Sequence, residues 1–522
     1  MGIMLNQVRP VKRALISVFD KTGLEEFVRG LIDQGIEIVS SGGTAKAIKK
    51  AGLAVKEVQE LTGFPEMLDG RVKTLHPYIH GGILARRDSS EHMQTLKKHK
   101  IKTIDLVVVS LYPFEETVKK AASYAECIEM IDIGGPTMLR AAAKNYDGVG
   151  VVCDSQDYSR IIDELKAQGG LTSVTRQSLS AKVFQTTARY DSLIAAFMTK
   201  ASKQSWVEQE QLTLSFSRVA PLRYGENPHQ VSSVFKLDGI KEKGLTSAKI
   251  LGGKELSYNN YLDLEAAWSL VSAFKASAAT VVKHNNPCGF ALDENLSRGF
   301  KKAFDCDPLS AFGGIVAINR KIDESLAKTI IGAGFLECVI APGYTKEAMA
   351  VFRQKKNLRF VSMPVKKVAP GAVEYKRITG GLLVQSVNSR SITTKDLKQV
   401  TKKKVTDKQI QDLLLGFALL PFIKSNGIAL VKNNQAVGIG MGQPSRVDSV
   451  ITALRKAGPR AKGSVLASDG FFPKADSIEF AVKHGVKAVI QPGGSILDKT
   501  VVAACDKAGI PMVVTGIRHF SH

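Results

Sequence analysis

Apolar residues follow two different spacings in the first third of the chain. Residues 13–19 form a mainly apolar run that predicts a buried strand, and residues 23–33 carry apolar side chains at helical spacing. Residues 35–39 and 104–109 repeat the strand pattern, and a short helix is predicted over 45–51. Apolar strands that alternate with helices predict an α/β domain built on a doubly wound parallel sheet.

The pattern changes near residue 200. A long helix is predicted over 176–199 and a polar segment over 200–211, so we place a boundary there, between domains 1–200 and 201–522. Beyond it, apolar segments predict further α/β units, and no internal repeat is visible. The strands predicted in this part are 280–283, 314–318, 428–431, 465–467, 488–490 and 512–514.

Composition narrows the class of protein. The 522 residues are 44% hydrophobic and 23% charged, which is typical of a globular chain and excludes a disordered or collagen-like one. Lys and Arg number 72 and Asp and Glu 49, and the net charge of +23 indicates an anionic partner: nucleic acid, a membrane surface or small phosphorylated molecules. Six dispersed cysteines without a CxxC pair favour a reducing compartment, and no signal peptide or spanning segment is recognised, so we expect the cytoplasm.

Two segments of the first domain are suited to binding an anion. Ser41–Gly42–Gly43–Thr44 lies between a strand and a helix, where glycines allow close approach and a helix N-terminus attracts phosphate. A tight turn with Thr44 as the helix cap is the alternative. Arg71 and Lys73 lie on one side of an extended segment and could hold a phosphate or polarise a carbonyl, unless they are solvated cations.

A second glycine turn, Asp132–Ile133–Gly134–Gly135–Pro136, precedes another helical run. Arg140 and Lys144 share one face of that helix, and a carboxylate beside cations can orient an amine or transfer a proton. A capped helix with an ordinary charge pair is the alternative. Tyr112 follows a predicted strand at the carboxyl edge of the sheet, where α/β proteins bind ligands, unless it is a rim aromatic.

In the second domain, Lys283–His284 directly follows a buried strand. Histidine is suited to proton transfer near neutral pH, and an adjacent ammonium can stabilise an oxyanion; a loop histidine beside a surface lysine is the alternative. The chain ends in Arg518–His519–Phe520–Ser521–His522 after an apolar strand, where Arg518 could bind an anion and Phe520 could stack on a heterocycle. Weaker glycine-containing clusters occur at 222–230, 307–314 and 438–446.

Taken in order, these motifs resemble one family over residues 13–522. The chain is similar to the bifunctional purine biosynthesis enzymes that join phosphoribosylaminoimidazolecarboxamide (AICAR) formyltransferase to inosinate (IMP) cyclohydrolase. The resemblance implies formyl transfer from the co-substrate 10-formyltetrahydrofolate to the 5-amino group of AICAR, then dehydrating ring closure to IMP. It also implies a methylglyoxal-synthase-like first domain, two cytidine-deaminase-like subdomains without zinc or another catalytic metal, and a homodimer with formyltransferase sites at its interface.

The resemblance implies residue roles in the cyclohydrolase. Lys73 and Tyr112 would stabilise the carbonyl oxygen as it becomes negative, and Asp132 and Lys144 would move protons. Phe19 stands where the family usually has a small hydroxyl and is left out of this site. Nucleotide binding would fall to Lys21, Ser41, Gly42, Gly43, Thr44, Arg71, Thr74, Ser110 and Ile133.

In the formyltransferase, Lys283–His284 matches the family's catalytic pair. His284 would take a proton from the attacking amine, and Lys283 would stabilise the tetrahedral oxyanion or protonate the leaving folate nitrogen. AICAR contacts would be Arg223, Tyr224, Gly313, Glu337 (a shorter acid in some relatives), Arg518 and Phe520. Folate contacts would be Asn426, Arg446, Phe471, Asp476, Gln491 and Pro492.

Two other hypotheses remain at this point. The net charge alone would permit a nucleic-acid-binding protein, but no recognisable nucleic-acid-binding motif occurs and the 7% aromatic residues are not interleaved with a basic stripe. A single-function relative whose other half is an inert scaffold is the third hypothesis, favoured only by Phe19. We therefore expect small-molecule substrates and neither nucleic acid nor membrane as partners.

Overall fold

The computed structural model describes residues 7–202, 205–239, 244–365 and 371–522. Positions 203 and 204 of the predicted polar segment lie outside the described residues. The chain divides into a first unit, Met1–Ser217 with Leu237–Lys241, and a second unit, Arg218–Lys236 with Glu242–His522. None of the helices within the described ranges is long and apolar enough to cross a membrane.

The first unit contains a five-stranded sheet in the order β4-β3-β2-β5-β6 with every pair parallel, as the sequence predicts. The strands of the whole first unit are β1 (Val8–Arg9), β2 (Arg13–Val18), β3 (Glu37–Ser40), β4 (Lys56–Glu57), β5 (Leu106–Ser110), β6 (Gly150–Val152) and β7 (Leu171–Thr172), of which β1 and β7 pair separately from the five-stranded sheet. Its α-helices are α1 (Leu24–Asp33), α2 (Gly42–Lys50), α3 (Val58–Thr62), α4 (Pro77–Leu84), α5 (Ser90–Lys98), α6 (Phe114–Lys119), α7 (Tyr124–Glu129), α8 (Gly134–Lys144), α9 (Tyr158–Gln168) and α10 (Ser173–Ala201).

The register of the central strands places three chain segments at one edge of this sheet. Val18 at the end of β2 pairs with Ser110 at the end of β5, and Ile16 pairs with Ser40 at the end of β3. The strands themselves are buried: Leu15 of β2 and Val107 of β5 have no exposed surface. The polar residues that follow the strands therefore emerge together at the carboxyl edge.

The remaining strands form a twelve-stranded sheet and two separate two-stranded sheets, β8-β9 and β16-β17. They are β8 (Phe216–Leu222), β9 (Ser232–Leu237), β10 (Lys249–Gly252), β11 (Ala278–Lys283), β12 (Asn286–Leu292), β13 (Ile315–Ile318), β14 (Cys338–Ala341), β15 (Arg359–Ser362), β16 (Val373–Ile378), β17 (Gly381–Ser386), β18 (Lys398–Gln399), β19 (Ile428–Lys432), β20 (Gln435–Gly440), β21 (Val465–Ser468), β22 (Ala488–Gln491) and β23 (Met512–Val514). The α-helices are α11 (Tyr258–Ser272), α12 (Leu296–Asp305), α13 (Pro308–Ala311), α14 (Glu324–Gly332), α15 (Lys346–Arg353), α16 (Asp407–Leu419), α17 (Arg446–Ala457), α18 (Asp476–Lys483) and α19 (Asp498–Ala508).

The twelve-stranded sheet consists of two halves with the same topology. In the first half, helix α11 precedes the hairpin β11-β12, and the sheet continues through β13, β14 and β15 to β10. In the second half, α16 precedes the hairpin β19-β20, and the sheet continues through β21, β22 and β23 to β18. Matching pairs have matching directions, and β12 pairs with β20 to join the halves. The two halves of like topology agree with the two subdomains that the family resemblance implies, although no repeat is visible in the sequence.

Two predicted local features also differ from the structure. Ser41 is the N-cap of α2, which begins at Gly42, so the predicted turn is the first turn of the helix and Thr44 lies inside it. Only two residues separate β11 from β12, so His284 and Asn285 form a tight hairpin turn rather than part of a longer loop. Asn286 and Pro287 resemble turn formers in sequence, but both belong to the paired strand.

Close helix-to-strand packing recurs in the two halves at equivalent glycines. A Cβ atom on Gly289 of β12 would lie 2.0 Å from the carbonyl oxygen of Ala303 in α12. A Cβ atom on Gly438 of β20 would lie 2.2 Å from the carbonyl oxygen of Ala453 in α17. Each helix therefore rests on a strand position that admits only hydrogen.

We expect Gly289→Ala to destabilise the second unit by about 1–3 kcal/mol, because a backbone carbonyl cannot retreat as a flexible side chain would. Gly332→Ala in α14 is the matched control, since a Cβ atom there meets nothing within 4 Å and alanine favours a helix. Urea unfolding followed by circular dichroism measures both variants. A Gly289→Ala midpoint equal to that of the parent protein would contradict the packing argument.

Candidate active sites

The first candidate site lies at the carboxyl edge of the parallel sheet. The Oγ of Ser110 accepts hydrogen bonds from the backbone N–H groups of Phe19 and Asp20 at 2.7 and 3.2 Å, which ties the chain after β2 to the end of β5. The hydroxyl of Thr44 accepts from the Val18 N–H at 3.1 Å and donates to the Val18 carbonyl at 2.9 Å. These bonds fix the start of α2 against the end of β2.

A lysine lies against this helix start. Lys21 Nζ donates to Thr44 Oγ1 at 3.2 Å and also contacts the carbonyl oxygens of Val18 and Phe19. Partial burial lowers the pKa of Lys21. An ammonium beside the first turn of a helix provides two sources of positive potential for an anion.

Lys73 approaches the same helix from another segment. A Cβ atom on Gly42, whose φ is +54°, would lie 2.9 Å from Lys73 Nζ, so glycine permits this approach. The same ammonium pairs with Glu66 at 2.7 Å. Thr74 is buried, and its Oγ1 lies 3.0 Å from the position a Cβ atom would take on Gly134 at the start of α8. The segment thus brings Lys73 and Thr74 between the starts of two helices, while Arg71 pairs with Glu129 at an exposed position.

Asp132 is the partly buried carboxylate of this site. Its Oδ1 accepts from the Gly135 N–H at 2.8 Å, and its own N–H donates to the hydroxyl of Tyr190 at 2.9 Å. Burial raises the pKa of Asp132, and its hydrogen bonds from the backbone of Gly135 and Tyr112 act in the opposite direction. A carboxyl whose pKa is raised is suited to proton transfer closer to neutral pH.

Three further predicted residues occupy the rim of the site or lie beyond it. Tyr112 is exposed, and its ring meets that of Phe19 edge-on with centroids 5.7 Å apart, so Phe19 belongs to the rim although the sequence analysis left it out. Ile133 is exposed at the N-cap of α8. Lys144 lies in the last turn of α8, about 15 Å along the helix from Gly134, and is not brought together with the others in this unit.

The second candidate site begins at the hairpin turn between β11 and β12. Lys283 ends β11, and its Nζ donates to the carbonyl oxygen of Phe312 at 2.8 Å. Gly313, which follows Phe312 in the chain, has φ of +72°, and a Cβ atom on it would lie 3.9 Å from the Nζ of Lys283. His284 is exposed, with φ of +53°. The turn therefore places an anchored ammonium next to an accessible imidazole.

Glu337 lies beside the loop at Gly313 and Gly314. Its contacts identify a site residue, Asn260, that the sequence analysis missed. Its N–H donates to the carbonyl of Gly314, and its Oε2 accepts from Asn260 Nδ2 at 2.8 Å. Asn260 belongs to the first turn of α11, where its side chain also completes a capping box with Ser257. A polar residue in the first turn of a helix is commonly a cap, so no sequence pattern points to its second contact with Glu337.

Arg223 and Tyr224 form a pair on the segment after β8. The guanidinium lies over the tyrosine ring at 4.6 Å, and Arg223 Nη2 donates to the hydroxyl at 2.7 Å. The same loop is held to α11 by Asn259, whose Nδ2 donates to the carbonyl of Glu226 at 3.3 Å. A cation and an aromatic face therefore lie in a loop that is tied to the start of α11.

A third group of predicted residues lies in the second half of the sheet. Arg446 is buried and donates to Asn426 Oδ1 at 2.7 Å, to Ser468 Oγ at 2.8 Å and to the carboxylate of Asp469. Asp469 and Ser468 were missed, although both follow a strand predicted from the sequence. The ring of Phe520 lies 2.7 Å from the position of a Cβ atom on Gly470. This group combines a paired guanidinium with an exposed aromatic ring.

The C-terminal segment connects this group to the hairpin turn. Lys424 Nζ donates to the carbonyl of His522 at 2.6 Å, and the N–H of Lys424 donates to Asn286 Oδ1 at 3.4 Å. Ser425 N donates to the carbonyl of Ser521 at 2.8 Å. The guanidinium of Arg518 lies 4.4 Å from the Phe520 ring centre. The end of the chain is thus held by Lys424 and Ser425, and Lys424 in turn contacts Asn286 beside the hairpin turn.

The remaining predicted folate contacts differ in accessibility. Phe471 is exposed, and Asp476 begins α18 with its carboxylate accepting from the Ser477 N–H at 2.6 Å. Gln491 is fully buried, and its amide oxygen accepts from the Phe472 N–H at 2.9 Å, so its side chain is committed to the interior. Pro492 lines a cavity of about 400 Å³ at the ends of β22 and β23.

Neither site offers the ligands of a metal ion. Across residues 7–202, 205–239, 244–365 and 371–522, no group of three or more His, Cys, Asp and Glu side chains is arranged to hold one. The six cysteines are free thiols.

The fold is that of a two-unit α/β protein, and each unit holds a candidate site in which a lysine lies beside a glycine. A family model described as AICARFT/IMPCHase bienzyme matches residues 142–456, and one described as MGS-like domain matches residues 23–137. The chain belongs to the AICARFT/IMPCHase bienzyme family. It is a bifunctional enzyme of purine biosynthesis, which confirms the predicted family, its fold class and its function.

Relatives of known name match the chain over nearly its full length. The bifunctional purine biosynthesis protein PurH of Listeria monocytogenes serotype 4a (strain HCC23) is 48% identical over 98% of this chain and 100% of its own. The proteins of the same name from Acetivibrio thermocellus and Parvibaculum lavamentivorans are 47% and 48% identical over 98% and 99% of this chain, and 100% and 98% of their own. A solved structure described as the crystal structure of ForH is 34% identical over 35% of this chain and 95% of its own, with a TM-score of 0.32.

Asp132 allows a test of the electrostatics of the first site. Because burial raises its pKa, its ionised form is less stable in the fold than in the unfolded chain, and this cost is present above the raised pKa. We expect Asp132→Asn to unfold at the same or a higher temperature than the parent at neutral pH, with the difference shrinking as the pH falls and the parent carboxyl is protonated. Thermal unfolding across a pH series measures it, with Glu91→Gln, at an exposed position, as the control. An Asp132→Asn variant less stable than the parent at neutral pH would show that the hydrogen bonds outweigh burial.

Proposed function

We propose that the two units divide the two activities of this bifunctional enzyme: residues 1–200 carry the IMP cyclohydrolase and residues 201–522 the AICAR formyltransferase. Each unit has its own cations and its own proton-transfer group, Asp132 in the first and His284 in the second. The observation that carries this division is that Lys73 and Lys283 each lie beside a glycine within their own unit. The match of an MGS-like domain to residues 23–137 supports the same division.

In the proposed cyclohydrolase, the phosphate of formyl-AICAR binds at the first turn of α2. Lys21 lies there, and the backbone N–H groups of Gly42 and Gly43 belong to the unpaired start of the helix. Ser41, Thr44, Arg71, Thr74, Ser110 and Ile133 complete the proposed binding set.

Ring closure joins the carboxamide nitrogen to the formyl carbon and releases water. Holding the substrate in a folded conformation supplies much of the rate enhancement. Lys73 and Tyr112 stabilise the formyl oxygen as it becomes negative, and Asp132 takes the proton from the attacking nitrogen. Lys144, in the last turn of α8, is the second group that we propose to move protons.

In the proposed formyltransferase, the 5-amino group of AICAR attacks the formyl carbon of 10-formyltetrahydrofolate. His284 accepts the proton of the amine, and Lys283 stabilises the tetrahedral oxyanion and then protonates the leaving folate nitrogen. The family implies a formyl-folate as co-substrate, and we propose that no catalytic metal takes part. The proposed AICAR contacts are Arg223, Tyr224, Gly313, Glu337, Arg518 and Phe520, and the proposed folate contacts are Asn426, Arg446, Phe471, Asp476 and the loop at Gln491 and Pro492.

We propose that the enzyme acts as a cytoplasmic homodimer with the formyltransferase sites at the interface. Apolar side chains of the β16-β17 hairpin, among them Ile378, Leu382 and Leu383, are 43–55% exposed in the single chain. His284 is also exposed. A second subunit would cover such surfaces, and the six free thiols suit a reducing compartment.

Substitutions in one unit should spare the activity of the other. We expect Lys283→Ala and His284→Ala to lower formyl transfer at least about 100-fold while cyclisation of supplied formyl-AICAR is retained. Lys73→Ala should do the reverse. Steady-state assays of each half-reaction, with folding and dimerisation checked by circular dichroism and light scattering, provide the measurement. A folded, dimeric variant that lost both activities would overturn the division.

A coupled assay tests whether both units are active. With AICAR and 10-formyltetrahydrofolate supplied, we expect inosinate to accumulate. Build-up of formyl-AICAR instead would indicate an inert first unit, as Phe19 in place of a hydroxyl first suggested. In that case Phe19→Ser should restore cyclisation. An unchanged rate of cyclisation would show that Phe19 is not the cause of the loss.

A further inference from the structure

The two hairpin turns of the second unit have the same backbone conformation. In the first half, His284 and Asn285 have φ of +53° and +60° between the paired residues Lys283 and Asn286. In the second half, Asn433 and Asn434 have φ of +53° and +61°. Positive φ at both central residues is the signature of a tight hairpin turn that glycine and asparagine adopt most easily. Histidine adopts this region at a cost, so something must hold the first turn in place.

A carboxylate holds each turn by its backbone. Asp263 accepts from the N–H groups of His284 and Asn285 at 3.3 and 2.6 Å. Asp412 accepts from the N–H groups of Asn433 and Asn434 at 3.0 and 2.9 Å. Asp263 and Asp412 are each the sixth residue of their helix, α11 and α16. The same clamp therefore appears once beside a histidine and once beside an asparagine.

The lysine before each turn is anchored in the same way. Lys283 Nζ donates to the carbonyl of Phe312 and lies beside Gly313, whose φ is +72°. Lys432 Nζ donates to the carbonyl of Lys462 at 2.8 Å and lies beside Gly463, whose φ is +84°. The lysine, the turn and the carboxylate thus form the same arrangement in both halves. Only the first turn carries an imidazole, that of His284, which can accept a proton.

We propose that Asp263 is a positioning residue for formyl transfer, which fixes the left-handed turn so that Lys283 and His284 face the substrate together. This inference rests on the proposed function of that pair. Asp263 bonds the backbone of the turn and leaves the imidazole free to exchange a proton. Asp412 performs the same mechanical task where no proton is moved, and so provides a matched control within the chain.

Replacing the carboxylate by an amide tests the proposal. Asparagine at position 263 keeps one acceptor oxygen, but its NH₂ group opposes the second turn N–H. We expect Asp263→Asn to lower kcat for formyl transfer about 10- to 100-fold, with KM for AICAR changed less than about threefold, because the reacting groups are displaced rather than lost. Asp412→Asn should change kcat less than about twofold. Steady-state kinetics with AICAR and 10-formyltetrahydrofolate provide both numbers.

Variants of the turn itself test the same idea with Asp263 intact, should Asp263→Asn fail to fold. Asn285→Val places a β-branched residue where φ is positive and should lower kcat, whereas Asn434→Val, at the equivalent place, should not. Asn285→Gly in the Asp263→Asn background should recover at least about threefold of kcat, because glycine adopts this conformation without support.

The outcomes separate the two levels of inference. If Lys283→Ala and His284→Ala retained formyl transfer, the proposed function would fail. If those variants lost formyl transfer while Asp263→Asn and Asn285→Val kept a kcat within twofold of the parent, only the positioning role would be overturned. Equal losses in Asp263→Asn and Asp412→Asn would also overturn it, since they would indicate general destabilisation.

Discussion

Backbone pairing between β12 and β20 is the contact on which the second unit depends. Ala291 faces Gln435, and the N–H of Leu292 donates to the carbonyl of Asn434 at 3.0 Å. Side chains reinforce the seam: Gln435 Nε2 donates to the carbonyl of Lys302 at 2.9 Å, and Arg460 Nη2 donates to the carbonyl of Cys306 at 3.0 Å. Because the two halves share one continuous sheet, Lys424 from one half can meet Asn286 from the other.

The elements that the sequence predicted best are those whose burial is decided by their own side chains. β2 and β5 are apolar on both faces, and the structure places them at the centre of the first sheet. β12 contains Asn286, Pro287 and Gly289, residue types that are typical of turns, whereas the structure uses the glycine for close packing against α12. The like topology of the two halves is also not visible in the sequence, because the pairing partners of strands are set by tertiary contacts that no local pattern records.

Candidate site residues were predictable as types but not as arrangements. The glycine turns and cations of the first unit lie at one sheet edge, as expected of parallel strands. Helical spacing identified the face that carries Lys144 but not its distance along the axis from Asp132. Asn260 and Asp263 lie in the first two turns of α11, where polar side chains commonly cap the helix or face solvent, so only the structure shows them reaching Glu337 and the hairpin turn. Gln491 shows another contact that no local pattern records, since its amide oxygen accepts from the Phe472 N–H inside the core.

The doubled architecture of the second unit has an evolutionary consequence. The second turn keeps the lysine, the positive-φ pair and the carboxylate but has Asn433 where the first turn has His284, so it shapes the sheet and has no imidazole to move a proton. Natural variation should therefore accumulate more freely around Lys432 and Asn433 than around the first copy, as long as the backbone of the turn is preserved. A repeated turn can in this way keep a structural role in the sheet while the equivalent turn in the other half carries a chemical one.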